Sequence, residues 1–193
     1  MRSLDISCAL LGGAGALLLS TAVVAQSKPP VHYGASISEA DVAALDIDIR
    51  GPDGKGLPPG KGTVADGEKI YNEQCVACHG EKAKGGSVFG AMVGGIGSFT
   101  TDKRVLTPGS MYPYAPILFD YTRRAMPMNA PQSLTNDQVY ALSAYILHLN
   151  GLVPADVVMD AATLTKIEMP NRNGFIVDDR PDTKATRCQK NCP

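Results

Sequence analysis

Tryptophan is absent from this 193-residue sequence, phenylalanine occurs only four times, and aromatic residues make up 6% of the whole. A domain with so little aromatic volume can draw part of its core from an apolar cofactor. Excess charge of either sign is also missing, since 18 Lys and Arg face 19 Asp and Glu. No basic stripe is available for a nucleic-acid partner, although protein partners are left open. Internal repeats and long low-complexity runs are lacking, and histidine occurs only at positions 32, 79 and 148. What is present suits one compact domain, preceded by an export segment and carrying a flank at each end.

The first 25 residues read as a signal peptide. Arg2 opens it, an apolar stretch runs from about Ile6 to Val24, and Val23-Val24-Ala25 offers cleavage after Ala25. The stretch is about 19 residues, long enough to span a bilayer if it stays uncleaved. Gly12, Gly13 and Gly15 make it a poor packed anchor. Export to the periplasm is therefore expected, with membrane attachment only if the segment is retained. Cys8 falls inside it. The other four cysteines form two pairs, Cys75 with Cys78 and Cys188 with Cys192, which in an oxidising compartment need a covalent or metal-bound fate.

Residues 26–62 form an extended N-terminal flank. Its second half, Gly51 to Gly62, is rich in turn formers and excludes a regular helix or central strand. Ser38 to Leu45 has room for one short helical turn. A first helix starts near Thr63, with Asp66 as a weak capping-box partner, and runs into Cys75. Gly80 to Gly109 is irregular and Gly-rich, a length that makes sense in a compact domain if it wraps something. A second helix begins at Pro116 and stops at Met126-Pro127. A third has Thr135 as cap, Gln138 as box partner, an apolar face from Val139 to Leu149, and a stop at Asn150-Gly151. The expected fold class is all-α, with a domain over 63–151 and a C-terminal extension over 152–193.

Cys75-Val76-Ala77-Cys78-His79 has the spacing that attaches haem c. On a helical turn the two thiols share a face and can each add to a haem vinyl group, while the adjacent imidazole can bind the iron. Three rival readings exist. A thioredoxin-like pair needs a βαβ setting that is missing. A zinc site joining both cysteine pairs has an unusual second spacing. A Cys75–Cys78 disulfide would close a strained short loop. For the second axial position Met126 stands out, just past a helix and before a stiffening proline; a thioether there favours ferrous iron. Met128, two residues on, would face elsewhere in an extended loop. Met92 and Met111 read as packing, Met169-Pro170 lies in the tail, and His32 and His148 are the remaining imidazoles.

Gly67 and Tyr71 on the first helix are placed to meet Tyr145 on the third. Arg104, Tyr112 and Tyr114 are candidate donors to haem propionates. Arg123-Arg124 suits a solvated helix end, or else contact with a propionate or an acidic partner. Cys188 and Cys192 stand at i, i+4, within reach of a disulfide pinning the tail; bridging to a partner chain or metal capture are the alternatives.

Gly67, Tyr71, the Cys75–His79 motif, Met126-Pro127 and the third helix resemble class I c-type cytochromes. More narrowly, Ile37-Ser38-Glu39-Ala40-Asp41, Gly56-Leu57-Pro58-Pro59-Gly60, Ala125-Met126-Pro127, Ala130 to Thr135 and Met169 to Phe175 resemble the cytochrome subunit of sulfane dehydrogenase, of the thiosulfate-oxidising Sox system. The resemblance implies three main helices around one covalent haem c held by Cys75, Cys78, His79 and Met126. It also implies a periplasmic protein that takes electrons from a molybdenum subunit and passes them to a small cytochrome c. Longer members carry a second haem domain, whereas this sequence has one motif. The proline usual after the motif is missing from Val88-Phe89-Gly90-Ala91-Met92, so the carbonyl contact that orients the histidine must come from elsewhere. A relative serving a sulfite-oxidising molybdenum enzyme is a neighbouring reading. The rival class is a haem enzyme acting on a sulfur compound or peroxide through an open iron position.

Overall fold

The computed structural model describes residues 34–178. The chain divides into two units, 1–38 and 39–193, and the second is described here. The export segment, His32, Cys188 and Cys192 lie outside the described residues.

Local sequence sets the ends of the helices. After the exposed helix α1 (Glu39–Leu45) and the short strand β1 (Lys61–Thr63), helix α2 (Val64–Gln74) starts where extended Thr63 turns its hydroxyl to accept from Asp66 N at 3.1 Å. A single turn, α3 (Val76–His79), follows directly. The wrap after it is irregular, broken by a 3-10 turn (Glu81–Ala83) and by α4 (Pro108–Met111), which Thr107 and Ser110 close with a capping box. Helix α5 (Pro116–Ala125) opens on proline and ends at extended Met126, followed by a cis Met126–Pro127 peptide. Helix α6 (Asn136–Leu149) opens with the reciprocal Thr135–Gln138 box.

Helix α6 is the centre of the unit. Every residue from Val139 to Leu147 is buried, because α2, α5 and β1 all pack on it. The closest approach is at Ala141. A Cβ on Gly67 would come within 2.0 Å of Ala141 O, and one on Gly62 within 2.3 Å of Ala141 N. Beside this crossing Tyr71 and Tyr145 meet with ring centroids 5.4 Å apart, and Phe119 and Tyr140 meet at 4.4 Å. The expected pairing of Gly67 and Tyr71 with the third helix is therefore found.

The sequence reading missed a two-stranded antiparallel ribbon. Strand β1 pairs with β2 (Val158–Asp160), Lys61 opposite Asp160. Three-residue strands are too short to show a period of two, and this pairing joins segments almost a hundred positions apart. Helix α7 (Ala161–Leu164) follows, capped by Asp160 accepting from Thr163 N at 2.8 Å. Met159, Leu164 and Met169 join the same core as α6.

The N-terminal flank is strapped across α5 and α6. Ile49 N donates to Asp120 Oδ1 at 3.2 Å, and Arg123 donates to Ile47 O at 3.3 Å. Tyr140 Oη donates to Pro58 O at 2.8 Å, and Lys61 N donates to Asp137 Oδ1 at 2.8 Å.

Candidate functional site

The end of α2 and the turn of α3 place the motif residues. Cys75 N donates to Tyr71 O at 2.9 Å, continuing the helix by one residue. Cys78 N and His79 N both donate to Cys75 O, at 3.2 and 3.0 Å, which winds the motif into one tight turn. Gly80 then reverses the chain at φ +75, where a Cβ would meet Gly85 O at 2.0 Å; only glycine fits so close a backbone approach. Tyr71 Oη donates to Gly80 O at 2.7 Å, tying that reversal back to α2.

Cys75, Cys78 and His79 line one cleft with Met126, at the end of α5. Its volume is about 380 Å3, within the usual range for small-molecule sites. Tyr71, Leu118, Leu142 and Ile146 make its walls mainly apolar. Both cysteines are half-buried, with no disulfide between them. Burial, and secondarily the neighbouring Cys78, push the Cys75 thiol up to about 11. Burial also holds the His79 imidazole below its usual range, which favours the neutral form that ligates metals. His79 Nδ1 is buried with no hydrogen-bond partner among the described residues.

The other sequence candidates distribute differently. Met92 lines the same cleft. So does Met128, although it is 62% exposed; this corrects the expectation that it faces elsewhere, because Met126 to Asn129 turns back along the rim instead of running extended. Met111 and His148 do not line the cleft, and Met169 is buried in the core. His148 Nδ1 lies 3.1 Å from Val153 O. Arg104, Tyr112 and Tyr114 also do not line it; Tyr114 carries the Arg172 guanidinium 5.1 Å above its ring. Arg124 pairs with Asp120, and Arg123 holds the flank.

Two thiols on one turn, a neutral imidazole and thioether sulfur, converging in an apolar cleft, fit an iron porphyrin held by thioether links and axial bonds. Among the described residues no group of three or more His, Cys, Asp or Glu is placed to hold a metal ion directly.

Comparison with known proteins agrees with this chemistry. Residues 62–146 match the family model described as cytochrome C oxidase, cbb3-type, subunit III. A chain of the crystal structure of the sulfane dehydrogenase SoxCD from Paracoccus pantotrophus matches at 36% identity, covering 83% of this chain and 81% of that one, with a TM-score of 0.71. The protein belongs to the class I c-type cytochromes. Within them it resembles the cytochrome of SoxCD, and the expected fold class holds. Membership implies a haem c cofactor and a role in haem electron transfer. No curated protein sequence matches the cytochrome.

Two residues of this cytochrome site escaped the sequence reading. Phe89 stacks on His79, ring centroids 5.2 Å apart and planes 22° apart, and also lines the cleft. A phenylalanine in a Gly-rich stretch otherwise poor in aromatics was the available signal. Asn150, read only as a helix stop, is a buried clamp: its side chain accepts from Gly94 N at 3.1 Å and donates to Met92 O at 3.1 Å and Ile146 O at 2.8 Å. It fastens the irregular wrap to the end of α6.

Proposed function

We propose that the protein is an exported, periplasmic carrier of single electrons with one covalent haem c, taking electrons from a molybdenum sulfur-compound dehydrogenase and passing them to a small cytochrome c. The observation that carries this reading is the convergence of Cys75, Cys78, His79 and Met126 on one mainly apolar cleft. In this reading Cys75 and Cys78 would hold the haem through thioether links, and His79 and Met126 would bind its iron. Haem c bound there supplies a one-electron ferric–ferrous couple. The chain's own part is to hold that couple in fixed geometry: α3 positions His79, α5 presents Met126, and the apolar walls limit water. With His79 and Met126 both holding the iron, no position would be left open for a substrate, which favours relay over chemistry on a sulfur compound. The resemblance to a component of SoxCD supports a molybdenum dehydrogenase as donor.

The test is reduction of the purified ferric protein. Stopped-flow mixing with a molybdenum sulfane dehydrogenase subunit and its substrate is expected to reduce the haem. The reduced protein should then pass its electron to a small cytochrome c. Oxidation of the sulfur substrate by this chain alone, with no dehydrogenase subunit present, would overturn the reading.

A further inference from the structure

The loop behind His79 holds the ring in an unusual way. His79 Nδ1 is covered by protein yet has no hydrogen-bond acceptor among the described residues. A covered atom cannot face the cleft, so Nε2 is the nitrogen left to coordinate. A ligating imidazole normally donates its other N–H to a carbonyl or carboxylate, which fixes the ring plane and strengthens it as a donor. Here the contact on the ring is Phe89, stacked at 5.2 Å and 22°.

Phe89 is itself fixed by main-chain bonds to the motif turn. Its N–H donates to Cys78 O at 3.2 Å, and its carbonyl accepts from Gly86 N at 2.9 Å. Gly85 N donates to His79 O at 3.0 Å, closing the loop on the histidine itself. Gly86 is packed so that a Cβ would lie 2.7 Å from Cys78 O. The Phe89 ring is thus held by the same short loop that carries the imidazole, and neither can shift far without the other.

We infer that Phe89 is the positioning residue that sets the plane of the His79 ring, in place of a hydrogen bond to Nδ1. The inference rests on the reading of His79 as an axial ligand. Two consequences follow. The ring orientation depends on an apolar stack, which a smaller or flexible side chain cannot reproduce. The imidazole is also a weaker donor than a hydrogen-bonded one, which favours the ferrous state.

The test is low-spin EPR of the ferric holoprotein, whose g-values report the orientation of the axial ligand planes. Phe89→Leu is expected to shift and broaden the g-values of the haem it binds, and Phe89→Tyr to restore them. Should the leucine variant fold poorly, 15N NMR of the unsubstituted ferrous protein serves instead, with His79 Nδ1–H expected at the shift of an N–H without an acceptor. A Phe89→Leu spectrum superimposable on the parent, or an Nδ1–H that is strongly hydrogen-bonded, would overturn the inference and leave His79 ligation standing. A His79→Ala variant whose spectrum matches the parent would sink both.

Discussion

Replacing Gly67 by alanine tests the helix crossing on which the cleft is built. The new Cβ would sit 2.0 Å from Ala141 O, 2.6 Å from Ala141 C and 2.7 Å from Tyr145 Cβ. Two of these are main-chain atoms in the middle of a buried helix, so no rotamer change relieves them. Overpacking of this kind costs roughly 1–3 kcal/mol and occasionally more, and the rigid backbone contact puts Gly67 at or above the top of that range. Against this, alanine gains about 1 kcal/mol of helix propensity over glycine. The net loss is about 2 kcal/mol or more, which at roughly 3–4 °C per kcal/mol for a domain of this size lowers Tm by about 6–8 °C. Thermal unfolding of the haem-loaded protein followed by circular dichroism measures it. Gly90→Ala is the control, since nothing lies within 4 Å of a Cβ there. A Gly67→Ala protein melting with the parent would refute the packing argument.

Thr135→Ala removes the hydroxyl that caps α6 and should lower the unfolding free energy by about 1 kcal/mol in denaturant titration. Asp120→Ala leaves Ile49 N–H and Arg124 without their carboxylate and should cost about 1–3 kcal/mol, read the same way. Alkaline pH should also destabilise the protein. Burial pushes the Tyr71 and Tyr140 hydroxyls up to about 12. The folded state therefore holds these protons more tightly, and the stability they confer is complete below the ordinary tyrosine value near 10 and lost as pH rises toward 12. Unfolding free energy measured across that interval should fall, and the fall should be smaller in Tyr71→Phe.

The helices were legible because their signals are local. Thr63 and Thr135 announce their starts and Asn150-Gly151 ends α6 through bonds within four residues, and Pro116 opens α5 through its fixed φ. That the motif and Met126 would share one cleft was legible, because Cys-x-x-Cys-His is a local pattern and Met126 stands at a helix end before a proline. The β1–β2 ribbon was not, since its strands are three residues long and their partners distant. Nor was the clamp made by Asn150, whose partners at Met92 and Gly94 are brought near only by the wrap. The place of Met128 on the cleft rim depends on how the chain turns after Pro127, which two residues of sequence do not encode. Phe89 falls between these cases: its residue type stood out, but its stacking on His79 depends on the glycine reversals at Gly80 and Gly85.

Because Met126 and Met128 both line the cleft, the choice of axial sulfur is the sharpest test of the site. The ferric haem-loaded protein should show the weak long-wavelength absorption band of methionine ligation. That band should vanish in Met126→Ala and persist in Met128→Ala. A band that survives loss of Met126, or a parent protein that is already high-spin, would contradict the account of a closed, six-coordinate electron carrier.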